Sequence, residues 1–112
     1  MSTLRVLQPT QLLTKTNAPE FIRWIEDSVS SGAKYLLIDL QNVAFMDSTG
    51  LGVLVSAHKF ARKAGYDLAM CSFNQQVRMV VEIAGLENVF TIYKNQDDFE
   101  NSILQPSVPS ER

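Results

Sequence analysis

The hydrophobic residues follow two alternating spacings along the chain, which predicts strands and helices in regular succession. Short apolar runs typical of strands alternate with longer stretches in which apolar residues recur every three or four positions, as on one face of a helix. The predicted strands are Leu4–Gln8, Tyr35–Leu40, Asp67–Ser72 and Val89–Tyr93. One predicted helix follows each strand, with apolar positions in the ranges 21–29, 51–64, 77–84 and 99–104.

Residues with strong boundary preferences mark where these helices begin and end. Asn17 and Asn74 are predicted to cap the first and third helices, because an Asn side chain accepts hydrogen bonds from the free N–H groups of a first turn. Asn95, with Asp98, begins the last helix in the same way. Glycines stand where the first three helices are expected to stop, at Gly32, Gly65 and Gly85.

The order of the elements predicts an α/β fold in a single domain. Strand–helix–strand connections are almost always right-handed, so this order gives a largely parallel sheet flanked by helices. The chain has no internal repeat and no linker, and we expect the domain to occupy residues 1–105. Pro106 and Pro109 cannot continue the last helix, which predicts a disordered tail over residues 106–112.

Composition and charge exclude several classes of function. The chain has 112 residues, of which 10 are Lys or Arg and 12 are Asp or Glu, so its formal net charge is −2. Without a basic run we expect no nucleic-acid partner, and no apolar stretch approaches the ~20 residues that cross a membrane. The single Cys71 and the single His58 argue against a disulfide and a structural zinc site. We therefore expect a cytoplasmic protein that carries no metal and no cofactor.

The polar segment Asp47–Gly50 after the second strand is the natural place to look for catalysis, but no catalytic pattern fits it. Ser48 lacks the preceding glycine of a nucleophile elbow, since Met46 stands there. At about 1.5 Å per residue, His58 lies about 15 Å further along the same predicted helix, too far to act as its base. The glycines at positions 50 and 52 lack the third glycine of a dinucleotide-binding loop. We therefore predict that the protein is not an enzyme.

Two features of this segment indicate a surface that another molecule recognises. Gly50 and Gly52 each cost up to about 1 kcal/mol in a helix relative to alanine, which suggests that another group approaches the helix start closely. Ser48 would stand at a helix N-terminus, whose free N–H groups favour an anion. A phosphate on Ser48 would add about −1.5 to −2 charges beside Asp47 and still be tolerated by the fold. A partner at this surface would then meet added bulk and added charge, as in a switch.

The remaining distinctive side chains are interpreted as structural. Cys71 is expected to be a small buried strand residue, Trp24 to pack in an apolar helix face, and His58 to be half-exposed on its helix. Three methionines are expected in the core: Met46, Met70 and Met79. None of these residues is assigned a function.

The segment from Tyr35 to Leu54 is similar to one known family. An apolar strand ends in Asp-Leu, and a short link leads to Phe-Met and then to the motif Asp47-Ser48-Thr49-Gly50-Leu51-Gly52. In these residues, and along residues 17–104, the chain resembles the anti-sigma factor antagonists, which are STAS domains. The resemblance implies a four- to five-stranded, largely parallel (mixed) sheet with about four helices, packed mainly on one side.

The resemblance also implies a function, in which Ser48 is the phosphate acceptor. The unmodified protein would bind an anti-sigma factor, a serine kinase with an ATP-binding fold, and so release a sigma factor. Phosphorylation would break that complex, and a phosphoserine phosphatase would restore it, so that the partners supply the chemistry. The partner-binding surface would include the other motif residues, Asp47, Thr49, Gly50, Leu51 and Gly52.

Two departures from the family pattern keep other functions open. Family members often begin with an extra strand and carry Gly-Glu-Leu-Asp before the first helix, whereas Gln11–Thr14 occupies that place here and is interpreted as an altered loop. An absent strand would leave a sheet edge open to self-association. The alternative is a non-switching interaction or scaffold module that forms a homodimer or binds a different regulatory protein. A small-ligand or hydrolytic protein would require a deep pocket beside Ser48, and none is expected.

Overall fold

The computed structural model describes residues 3–104; the predicted tail at 106–112 lies outside this range. The described part contains the strands β1 (Leu4–Leu7), β2 (Gln11–Leu13), β3 (Tyr35–Asp39), β4 (Val43–Met46), β5 (Ala69–Cys71) and β6 (Thr91–Tyr93). The helices are α1 (Ala18–Ser30), α2 (Ser48–Lys63), α3 (Gln75–Ile83) and α4 (Gln96–Leu104), with a short 3₁₀ helix at Lys15–Asn17 before α1.

Four strands form the main sheet in the order β1-β3-β5-β6, and every neighbouring pair is parallel. Leu36 and Ile38 of β3 face α1, α2 and α3 and belong to the larger hydrophobic core. Leu37 faces the other way and packs in a smaller cluster with Phe99 of α4. The predicted α/β fold with helices mainly on one side is therefore confirmed, since three helices lie on one face and α4 lies on the other.

A second, two-stranded sheet was not predicted. Gln11–Leu13, interpreted above as a loop, is strand β2, and it runs parallel to β4 with Leu12 beside Phe45 and Leu13 beside Met46. The prediction of a loop was wrong because β2 has only three residues, too few for a hydrophobic period to show. The pairing places β2 against the segment that leads into α2.

The helix boundaries agree with most of the predicted caps. The Asn74 Oδ1 accepts a hydrogen bond from the Val77 N–H at 2.8 Å, and Asn95 does the same for Asp98 at 2.8 Å. The glycines after the first three helices adopt positive φ, at Gly32, Gly65 and Gly85. The cap predicted at Asn17 is wrong: no N–H of α1 donates to its side chain, whose Oδ1 instead accepts from the Thr14 N–H at 2.9 Å.

The burial of two side chains also differs from the predictions. Met79 is 54% exposed, because Val77 and Val81 occupy the buried face of α3. His58 is only 6% exposed, because the ring of Phe90 packs against it with the ring centroids 5.6 Å apart. The other expectations of burial are confirmed, for Trp24, Met46, Met70 and Cys71.

Candidate functional site

Asp47 is the residue that organises the junction between β4 and α2. Its backbone is extended, and its Oδ1 accepts hydrogen bonds from the Thr49 hydroxyl at 2.7 Å and from the Gly50 N–H at 2.8 Å. These two donors, the Thr49 hydroxyl first, hold the pKa of the Asp47 carboxyl below its usual value. Asp47 therefore caps α2 as a carboxylate at neutral pH, which places a fixed negative charge next to Ser48.

The two neighbouring hydroxyl groups of α2 are in different situations. The Thr49 hydroxyl donates to Asp47 and accepts a hydrogen bond from the Lys15 N–H at 3.0 Å, so it ties the 3₁₀ helix to α2. Ser48 is exposed at the first position of α2, and its hydroxyl has no hydrogen-bond partner among residues 3–104. Of the two, only the Ser48 oxygen is free to be modified without breaking a contact within the described part of the chain.

Gly50 explains why the helix start is so close to β2. A Cβ atom at this position would lie 2.0 Å from the Leu13 carbonyl oxygen, a separation that real Cβ atoms essentially never show. The close approach inferred from the sequence is therefore made at Gly50 by the chain's own backbone. Gly52 is exposed and a Cβ atom there would meet nothing within 4 Å, so this glycine leaves open surface on α2.

An open apolar groove of about 450 Å³ lies directly beside Ser48. Ser48 and Asp47 stand at its edge, and Leu51, which is 9% exposed, is the motif residue that lines it on the inside. Two of its apolar side chains are largely exposed, since Phe45 is 47% and Ile83 is 81% accessible. The other residues lining the groove are Met46, Gln76, Val80 and Ala84.

Side chains from the start of α3 hold the two walls of the groove together. Gln76 forms a reciprocal pair with the backbone of Met46, accepting from its N–H at 2.9 Å and donating to its carbonyl oxygen at 2.8 Å. Asn74 donates to the Val43 carbonyl oxygen at 2.9 Å. β4 is thus bound by β2 on one edge and by these two side chains of α3 on the other. Sequence reasoning missed the contribution of α3 to the groove, which consists of Gln76, Val80, Ile83 and Ala84.

Within residues 3–104, the histidine and the cysteine are both buried and neither lines the groove beside Ser48. No group of three or more His, Cys, Asp or Glu side chains within residues 3–104 is placed to hold a metal ion. His58 packs against Phe90, where burial first and the nearby Arg62 second lower the pKa of its imidazole. Burial raises the pKa of the Cys71 thiol to about 11, which keeps it protonated and unreactive at neutral pH.

A separate polar cavity of about 240 Å³ lies at the carboxyl ends of β3 and β5, where Asp39 is 1% exposed. Burial raises the pKa of the Asp39 carboxyl, but hydrogen bonds from Gln8, Ser72 and Gln41 outweigh it and leave the pKa lowered. The Gln8 and Gln41 amides donate to the same Oδ2, at 2.9 and 3.0 Å. This carboxylate is therefore fully used in joining the ends of β1 and β3.

Comparison with known proteins assigns this fold to one domain family. The family model for the STAS domain matches residues 2–99, so the chain belongs to the STAS domain family. A candidate anti-sigma factor antagonist of Thermotoga neapolitana is 33% identical over 89 residues, 79% of each chain. The anti-sigma F factor antagonist of Paenibacillus polymyxa is 33% identical over 63 residues, which are 56% of this chain and only 54% of that relative.

Solved structures show the same fold. The crystal structure of a candidate anti-sigma factor antagonist from Thermotoga maritima superposes with a TM-score of 0.79 and 25% identity, covering 94% of this chain and 91% of that one. A sulfate transporter family protein from Wolinella succinogenes gives a TM-score of 0.78 at 13% identity over 95% of this chain and 89% of that one, a likeness of fold alone. Within residues 3–104, no helix is long and apolar enough to span a membrane.

Proposed function

We propose that this protein is an anti-sigma factor antagonist whose partner binding is switched off by phosphorylation of Ser48. The unphosphorylated protein binds an anti-sigma factor over the groove beside Ser48, and a sigma factor is released. The anti-sigma factor is a serine kinase of the ATP-binding type, and a phosphoserine phosphatase reverses the modification. The observation that carries the proposal is the unpartnered Ser48 hydroxyl at the edge of an exposed apolar groove.

The electrostatics of the site explain how one phosphate can act as a switch. Phosphorylation adds about −1.5 to −2 charges at pH 7, next to the Asp47 carboxylate. The first turn of α2 tolerates this charge, because the helix dipole and free N–H groups favour an anion there. A partner that covers the groove would have to remove water from the dianion and from the adjacent Asp47 carboxylate, which is costly. The phosphate therefore weakens partner binding strongly and lowers the free energy of unfolding only slightly.

The residues of the site have separate roles in the proposed switch. The kinase and the phosphatase perform the chemistry and this chain is their substrate, in the cytoplasm. His58, the histidine of α2, lies about 15 Å from Ser48 along that helix. Asp47 and Thr49 hold the first turn of α2 in place, which fixes where the Ser48 hydroxyl points. Gly50 allows that turn to lie against β2, and Leu51 and Gly52 offer the partner an apolar side chain and open backbone.

A second candidate function is a non-switching interaction module. Leu12, which is 56% exposed, lies beside the exposed Phe45 in the β2–β4 pair and extends the apolar surface away from Ser48. A partner held mainly by this extension, whether a second copy of the chain or another regulatory protein, would not respond to a phosphate on Ser48.

The two functions are separated by binding measurements with purified candidate anti-sigma factors. We expect Ser48→Ala to bind like the wild type and Ser48→Asp to bind about tenfold more weakly or worse, because like charge beside Asp47 opposes docking. Asn101→Asp, which adds the same charge on the exposed surface of α4 on the opposite face of the sheet, is the matched control and should bind normally. Incubation with the anti-sigma factor and ATP should label the wild type and not Ser48→Ala. Equal binding by wild type and Ser48→Asp would favour the non-switching module.

A further inference from the structure

A second groove, between α1 and α2, lies well along α2 from Ser48. It has a volume of about 330 Å³ and is lined by Ile22 of α1 and by Ser56, Lys59, Phe60 and Lys63 of α2. Ile22 and Phe60 are partly buried, so an apolar surface is present between the two helices but remains accessible. The functional site described above uses none of these five residues.

The charged residues that line this groove are both lysines, although the chain as a whole is acidic. Helix α2 carries Lys59, Arg62 and Lys63 and contains no Asp or Glu, while the net charge of the chain is −2. Within residues 3–104 none of these three cations forms an ion pair. The last turn of a helix favours cations, which accounts for Arg62 and Lys63 but not for Lys59, one turn earlier. Lys59 and Lys63 both line the groove and leave their charges available to a ligand.

We propose that this groove is a docking site for an acidic amphipathic segment of a protein partner. Apolar side chains of that segment would pack on Ile22 and Phe60, and its carboxylates would pair with Lys59 and Lys63. Such a segment complements a groove that has an apolar floor and a basic rim. A nucleic acid fits less well, because the chain is acidic overall and the groove offers a single aromatic ring rather than a basic stripe.

The position of the groove along α2 predicts that it acts independently of the Ser48 switch. At about 1.5 Å per residue, Lys59 lies about 16 Å from Ser48 along the helix. This separation is about twice the Debye length of about 8 Å at physiological ionic strength, so a phosphate on Ser48 is largely screened at the groove. The α1–α2 groove can therefore hold its ligand in both phosphorylation states. The inference does not depend on the proposed antagonist function.

The test is an NMR titration of the isotope-labelled protein with a synthetic amphipathic peptide that has leucine on one face and glutamate on the other. We expect amide shifts to concentrate at Ile22, Ser56 and Phe60. A peptide with lysine in place of glutamate should bind about tenfold more weakly or worse, and high salt should weaken the glutamate peptide. Ser48→Asp should bind the glutamate peptide like the wild type.

Variants with matched charge complete the test. The double variant Lys59→Glu with Lys63→Glu should lose about tenfold in affinity for the glutamate peptide. The two substitutions turn two exposed attractive ion pairs into repulsive pairs. Lys34→Glu with Lys94→Glu makes the same change in net charge at exposed positions outside the groove and should bind normally. Shifts centred on the groove beside Ser48, equal binding of both peptides, or stronger binding to phosphatidylglycerol vesicles than to the peptide would overturn the proposal. Failure of anti-sigma factor binding would leave these results unaffected.

Discussion

Replacing Gly50 with alanine perturbs the contact that holds the N-terminus of α2 against β2. The added Cβ atom would lie 2.0 Å from the Leu13 carbonyl oxygen and 2.6 Å from its carbonyl carbon. Both are backbone atoms, so a side-chain rotation cannot relieve the overlap. Leu13 itself is fully buried and pairs with Met46, so the required shift of about 1 Å would disturb both the core and the β2–β4 pair.

The expected destabilisation combines two opposing effects. Overpacking a well-packed region costs about 1–3 kcal/mol, and we expect about 3 kcal/mol here because the strand itself must move. Alanine gains about 1 kcal/mol over glycine in a helix, which leaves a net loss of about 2 kcal/mol. For a domain of this size, such a loss lowers the midpoint of thermal unfolding by about 5–10 °C.

Urea and thermal denaturation followed by circular dichroism measure this loss. Gly52→Ala is the matched control: a Cβ atom there meets nothing within 4 Å, so we expect it to raise the free energy of unfolding by up to about 1 kcal/mol. The two substitutions, two residues apart on one helix, should therefore act in opposite directions. If Gly50→Ala unfolds at the same urea concentration as the wild type, the packing of α2 on β2 described here is wrong.

Three other predictions test the site and its surroundings. Ile83→Asp should weaken anti-sigma factor binding about tenfold and cost less than about 1 kcal/mol of stability, since an Asp in the last turn of a helix opposes its dipole. Leu104→Asp makes the same change at the end of α4, where the side chain is similarly exposed, and should bind normally in titration calorimetry. Thr49→Val should lower the free energy of unfolding by about 1 kcal/mol, because it removes the hydrogen bonds to Asp47 and Lys15. An unchanged free energy of unfolding in urea denaturation would contradict a stabilising role for these hydrogen bonds. The unfolded state binds a proton on His58 more readily than the folded state does, because burial lowers its folded pKa. The free energy of unfolding should therefore fall as the pH drops below about 6.5 towards the folded pKa. In urea denaturation, the His58→Leu variant should not show this fall.

Much of the fold could be predicted from the sequence because its signals are local. The apolar run of β3 and the cap at Asn74 depend on adjacent residues, and both are present as predicted. The β2–β4 pair could not be predicted in this way, since a strand as short as Gln11–Leu13 is formed by its tertiary partner. The half-exposed position predicted for His58 is wrong because Phe90, which buries its ring, lies on a distant part of the chain.

The candidate site likewise has one part that the sequence predicts and another part that it does not. The Asp47-Ser48-Thr49-Gly50 run is continuous in sequence, so its motif alone predicts Ser48 as the residue to be modified. The groove beside it is assembled from two distant segments, which Gln76 joins to Met46 across 30 positions of the chain. No local pattern reports such a contact. The sequence also could not distinguish Gly50, which contacts Leu13 internally, from Gly52, which is open.

In the proposed switch, a phosphate on Ser48 prevents partner binding and leaves the fold intact. The switch is tested most directly by titration calorimetry of stoichiometrically Ser48-phosphorylated protein and unmodified protein against the same anti-sigma factor. We predict that phosphorylation weakens binding by about tenfold or more and changes the free energy of unfolding by less than about 0.5 kcal/mol. Equal affinities of the two forms would contradict the switch.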